Sequence, residues 1–173
     1  MELKEWLEGK KTQIHNRWYA EVKARLESGH EEVEGILLFL LESLVAILVK
    51  TFGDEREAGE EIWQQATHLY GALSVRRGLA AGEVVEEIQL LRTVILRFLL
   101  DSSEIDCTDR SFSRGFLAIN RLIDLGVARA SIAYVDDLFF AHVQGSGVLE
   151  GISDSVQEEI RRQLETFRKE LRL

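Results

Sequence analysis

Apolar residues recur every three or four positions along almost the whole chain, the period of helices that each bury one face. The spacing predicts six helices. The first covers residues 3–26, with Leu3, Leu7, Ile14, Trp18, Val22 and Leu26 on one stripe and Trp6 beside it. The second, 31–52, is apolar on all sides between residues 36 and 49 apart from Glu42 and Ser43. A membrane span needs about 20 predominantly apolar residues, so this shorter run with a carboxylate inside it reads as a central core helix. Glu42 would need Arg76, Arg92 or Arg97 as a partner if it faced inward, and is otherwise a partly exposed glutamate, the reading its residue type favours.

After a break at Phe52, Gly53 and Asp54, with Asp54 placed as an N-cap, residues 68–99 carry the most informative pattern. Ile62, Ala66, Leu69 and Leu73 precede Gly78, and Val84, Ile88, Leu91, Ile95 and Phe98 follow Gly82. Two helices joined by so short a turn are expected to fold back with their apolar faces as near neighbours. Trp63 falls in the core of the first of them. Ser102, Ser103, Asp106 and Thr108 then suit a connection, and Thr108 or Asp109 caps a fifth helix over 110–143, carrying Phe112, Phe116, Ile119, Ile123, Val127, Ala130, Tyr134 and Leu138. Gly115 and Gly126 inside it mark close packing or a kink. Gln144 to Gly147 reads as a hinge or loop, and a sixth helix over 152–171 places Val156, Ile160, Leu164, Phe167 and Leu171 on a narrow seam.

The 68–99 stretch also carries a resemblance. Tyr70 and Gly71, a helix-ending Gly78, an acidic Glu87 in the next helix and the pair Leu91 and Arg92 resemble the N-terminal sensor domain of the RsbR/RsbRD proteins. Members of that family are RsbT co-antagonists of the bacterial stressosome, and related domains precede some histidine kinases. The resemblance implies a globin-like helical fold without haem, a role in stress-response or two-component signalling, and a last helix that leaves the globule as a dimerising linker to an output domain or regulatory partner. A domain division at residues 1–147 for the sensor core and 148–173 for the linker helix follows. Arg92 is expected to be partly buried and paired with a carboxylate of a neighbouring helix, Glu42 being the first choice.

Composition narrows the picture without changing it. The 173 residues are 46% hydrophobic and contain no proline, which fits one all-helical domain with a core of its own. A net charge of -9 and a pI near 5.0 repel nucleic acid and anionic lipid. The basic residues from 161 to 172 are interleaved with Glu158, Glu159, Glu165 and Glu170, so they read as a solvated face with Glu158–Arg162 and Glu165–Lys169 in the favourable i,i+4 order. Charged residues at 2, 4, 5, 8, 10 and 11 break any apolar leader, and a single Cys107 fits a reducing compartment, so cytoplasm is the expected location.

Chemistry is sparse. A carboxylate-bridged di-iron bundle needs two Glu-x-x-His pairs, and Glu27 with His30 is the lone candidate. No nucleophile triad, phosphate loop or dinucleotide motif stands in a supporting context, so no enzymatic activity, metal or cofactor is expected. A haem site requires a histidine facing an apolar pocket. His30 falls in a loop and His15 on a charged face, which leaves His68 and His142 as the candidates. Three functional readings result: a non-catalytic sensory or regulatory domain, a haem-based gas sensor, and a ligand-free adaptor bundle. A parallel homodimer is expected through the terminal helices, with Trp6, Trp18, Val156, Ile160, Leu164, Phe167 and Leu171 at the interface.

Overall fold

The computed structural model describes residues 2–25, 31–52, 56–103, 108, 110–143 and 153–173. Its six helices are α1 (Leu3–Lys23), α2 (Glu31–Thr51), α3 (Arg56–Arg76), α4 (Ala81–Leu100), α5 (Arg110–Val143) and α6 (Asp154–Glu170), and the described residues contain no strand. The all-helical expectation holds, with helix limits within a few residues of the periodicity. The expectations for Leu26, Glu27, His30, Asp54, Cys107, Asp109 and residues 144–147 lie outside the described residues.

Five helices close a ring. α1 packs on α2, α2 on α3, α3 on α5, α5 on α4, and α4 back on α1, while α6 lies outside in the groove between α2 and α3. The long α5 is, with α3, the most extensively packed member of the ring, α3 lying on one side of it and α4 on the other. One expectation fails here: α3 and α4 do not lie face to face. The short turn holds their near ends together, but each packs on α5 instead of along the other.

Two glycines set how closely α5 and α3 approach. A Cβ on Gly71 would stand 2.8 Å from Ala130 Cα on α5, and one on Gly126 would stand 2.8 Å from Trp63 Nε1 and 2.9 Å from its Cζ2. Of the two roles open to Gly126, close packing is therefore the one it serves. Gly78 ends α3 with φ at +73°, the left-handed conformation in which a side chain is strained. On the far side of the turn, Glu83 reaches back to accept the Ala80 N–H at 2.7 Å, which satisfies one of the free donors at the start of α4.

α2 is the most enclosed helix, as its composition requires. Ile36, Leu37, Leu40, Leu41, Leu44, Ile47 and Leu48 are all buried, covered by α1, α3 and α6. Glu42 escapes by pointing outward, its side chain about half exposed and 3.8 Å from Arg168 of α6. None of the three arginines proposed for it is its partner.

Each of the three tryptophans is buried and donates its indole N–H to another part of the chain. Trp18 donates to the Glu87 carbonyl at 2.7 Å, Trp63 to the Leu122 carbonyl at 2.6 Å and Trp6 to Ser102 Oγ at 3.1 Å. A buried indole without such a partner would lose the desolvation cost of its N–H, so these bonds fix where α1 meets α4 and where α3 meets α5.

Candidate functional site

The sequence motif assembles around the α3–α4 turn. Tyr70 and Arg77 sit seven residues apart on α3 and its end, on one face, and Glu87 enters from the second turn of α4. Arg77 donates from both terminal nitrogens, to Glu87 Oε2 at 2.8 Å and Oε1 at 2.9 Å, and the Tyr70 hydroxyl donates to the same Oε2. The Arg77 and Glu87 side chains are 2% and 1% exposed, and Tyr70 is fully enclosed. Burial, and after it the adjacent Glu87 charge, push the Tyr70 hydroxyl well above its ordinary pKa. Burial works against the Arg77 charge too, but hydrogen bonding to Glu87 and the charges of its neighbours outweigh it and hold the guanidinium above its usual range.

Two further hydrogen bonds tie the region around this triad to α1 and α5, while Arg77 Nε is buried without a partner. Trp18 of α1 holds the Glu87 backbone, and the Tyr134 hydroxyl of α5 donates to the Leu79 carbonyl in the turn at 2.7 Å. With both carboxylate oxygens engaged, the cluster is a latch that joins the otherwise diverging α3 and α4 at their near ends. Of the other motif residues, Gly71 lies against Ala130, Leu91 is fully buried, and Arg92 pairs with Asp124 of α5. Arg92 is thus partly buried and bonded to a neighbouring helix, as expected, but its partner is Asp124 and not Glu42. Arg77 itself was not among the expected site residues, although its i+7 spacing from Tyr70 is the signal that places it on the same face.

A cleft of about 460 Å³ opens between α3, α5 and α6. Gln64, Gln65 and His68 of α3, Arg129 of α5, and Gln163 and Phe167 of α6 line it, and Arg129 Nε donates to Gln64 Oε1 at 2.7 Å. A smaller cavity of about 140 Å³ near the far end of α6 is bounded by Lys11, His15, Glu42 and Arg168. His15 is 9% exposed; its Nδ1 lies 3.1 Å from Asn16 Oδ1 and its Nε2 is buried without a partner.

The histidine expectations are reversed. His68 and His142, the two haem candidates, are exposed, so neither faces an enclosed apolar pocket, whereas His15, placed on a charged face, is the buried one among the described histidines. Among the described residues no group of three or more His, Cys, Asp or Glu side chains is arranged to hold a metal ion. Nor is any helix among them long and apolar enough to cross a membrane.

The residues assigned to a dimer interface are also relocated. Trp6, Trp18, Ile160, Leu164, Phe167 and Leu171 are buried within the single chain, and Val156 packs partly against the same core. The α6 seam is filled by α2 and α3, so it is not free for a second copy. Arg161 and Arg168 flank the seam with their guanidinium groups each 5.5 Å from the Phe39 ring centre, so this part of the basic segment is a packing surface and not only a solvated one. Arg162 pairs with Glu159, not with Glu158.

Compared with known proteins, the chain matches no family model, no curated protein and no solved structure.

Proposed function

We propose that this chain is a non-catalytic sensory or regulatory domain of the RsbR/RsbRD N-terminal kind, acting in bacterial stress-response or two-component signalling in the cytoplasm and transmitting through α6. The observation that carries the reading is the position of the cleft. Its walls come from α3, which bears Tyr70 and Gly71 of the motif, from α5, and from α6, the helix expected to carry the signal. A solute or partner segment that fills it touches α3 and α6 at once, and so has differential contacts with docked and undocked α6, which is what a switch requires. The lining sets Gln64, Gln163 and Arg129 beside Glu61, Leu69 and Phe167, which suits a small ligand with both polar and apolar parts. The exposed apolar ridge of α5 favours a second reading, an adaptor bundle that works through surfaces alone.

Native-state hydrogen exchange separates the two. A signalling α6 is expected to open in a step of its own, so that its amides exchange well below the free energy of global unfolding, and a ligand of the cleft slows them. If α6 amides exchange only through global unfolding, the transmitting role is lost and the adaptor reading stands. An absorbance scan of freshly purified protein is expected to show no Soret band; a band would revive the haem-sensor alternative.

A further inference from the structure

α5 is apolar on both sides, and only one side is covered. Ile119, Ile123, Ala130, Ala133 and Tyr134 face the core, while Ile132 is 49%, Val135 59% and Phe139 62% exposed on the opposite face. A helix apolar all round is ordinarily enclosed on all sides. Leu125 and Ala128 extend the outward ridge, so it runs Leu125, Ala128, Ile132, Val135, Phe139 at the alternating three- and four-residue spacing of a two-helix seam. With Phe140 and Val143 at its end, this strip exposes on the order of 600 Å², the top of what a monomer shows and most of the ~800 Å² per partner of a standard interface.

We propose that this ridge is the contact for a second copy of the chain, with the two α5 helices antiparallel about a twofold axis passing between Ile132 and Val135. Volume and charge both select that arrangement. In this register the largest side chain, Phe139, falls opposite the smallest, Ala128, and Ile132 falls opposite Val135. Along one edge of the ridge stand Arg129 and Asp136, seven residues apart and both exposed, and Asp136 has no ion-pair partner among the described residues. Antiparallel pairing sets Arg129 of each copy beside Asp136 of the other, giving two symmetric ion pairs flanking the seam. The covered surface is distinct from the terminal helices and touches the cleft only at its edge, where Arg129 also donates to Gln64; the apolar ridge itself lies outside the cleft, so the proposal does not depend on the regulatory reading above.

Light scattering over a concentration series tests it on the full chain. The expected mass is twice the 19.7 kDa of one chain, falling to one chain for I132D, whose site is half exposed and whose helical circular dichroism stays native. R129E and D136R each bring like charges together and are expected to weaken the dimer about tenfold or more, and the double swap R129E/D136R to restore it to within a few-fold. Orientation is read by cysteines in a C107S chain. Residues 129 and 136 lie about 10 Å apart along one helix, too far for a disulfide within a chain, so oxidation of R129C/D136C yields covalent dimer only across copies. A monomer up to about 100 µM, a dimer indifferent to I132D, or failure of the double swap to restore affinity would overturn the proposal. So would efficient crosslinking of F139C alone, because position 139 on the seam meets its own copy in a parallel pair and lies about 16 Å from it along the axis in the antiparallel register.

Discussion

Arg77 and Glu87 stand ten residues apart, on opposite sides of a turn, and meet through two nearly parallel hydrogen bonds of 2.8 and 2.9 Å with neither side chain more than 2% exposed. A fork-to-carboxylate pair of this kind is strong when complete and costly when half removed, because the remaining charge stays buried. Since α3 and α4 diverge onto α5, the pair does work that helix-to-helix packing would otherwise do. R77M or E87L alone is expected to cost about 3–5 kcal/mol in urea unfolding, and R77M/E87L clearly less than the sum of the two. Additive losses in the double variant would show that the two side chains contribute separately and not as a pair. Y70F, which removes one donor from the same carboxylate, is expected to cost about 1–3 kcal/mol.

The same triad gives a pH dependence whose sign is set by Tyr70. Its folded-state pKa lies well above the ordinary value near 10, so above that pH the unfolded chain gives up a proton that the folded chain keeps. The stabilisation is therefore fully present below about pH 10 and is lost progressively as pH rises beyond it. Tyr19, pushed up to about 12 by burial and then by its hydrogen bond to Glu34, adds a smaller loss of the same sign between about pH 10 and 12. Urea midpoints measured from pH 9 upward are expected to fall in the native chain and to fall less steeply in Y70F. Identical slopes would mean that Tyr70 ionises as freely in the folded protein as in the unfolded one.

How far each of these features was legible in the sequence depends on what kind of contact made it. Helix limits were readable because each helix has a continuous apolar stripe and the chain lacks proline, and the enclosed α2 announced itself by being apolar all round. Partner choice was not readable, since periodicity gives the face of a residue but not the helix opposite. Arg92 was expected to find Glu42 and found Asp124, and Glu42 was met by Arg168 from a helix assigned to leave the body. The α6 seam looked like a dimer surface for the same reason: Ile160 and Leu164 needed cover, and nothing in their spacing distinguishes α2 and α3 of the same chain from a second copy. The ridge of α5 was missed because Ile132, Val135 and Phe139 were overshadowed by the stronger stripe through Ile123, Ala130 and Tyr134, and only the fold says which of two apolar faces is used up.

The tight approach of α3 and α5 at Gly71 supplies a last prediction. α3 and α5 share the most extensive packing, and at Gly71 the space a methyl group would need is already held by the Ala130 backbone, with its Cα 2.8 Å and its carbonyl carbon 2.7 Å from the Cβ position. Backbone atoms cannot rotate aside as a side chain end can, so G71A must push α5 away from α3 along much of their length and strain the Trp63–Leu122 bond that spans them. Ordinarily alanine is favoured over glycine inside a helix by about 1 kcal/mol, and G35A on α2, where nothing lies within 4 Å, is the matched control for that gain. G35A is expected to be neutral or to raise stability by up to about 1 kcal/mol, while G71A loses about 2–4 kcal/mol once the propensity gain is offset by overpacking. Urea unfolding of the two variants side by side decides the matter. Equal stability for both would mean that α3 and α5 can separate at no cost and that Gly71 does not set their spacing.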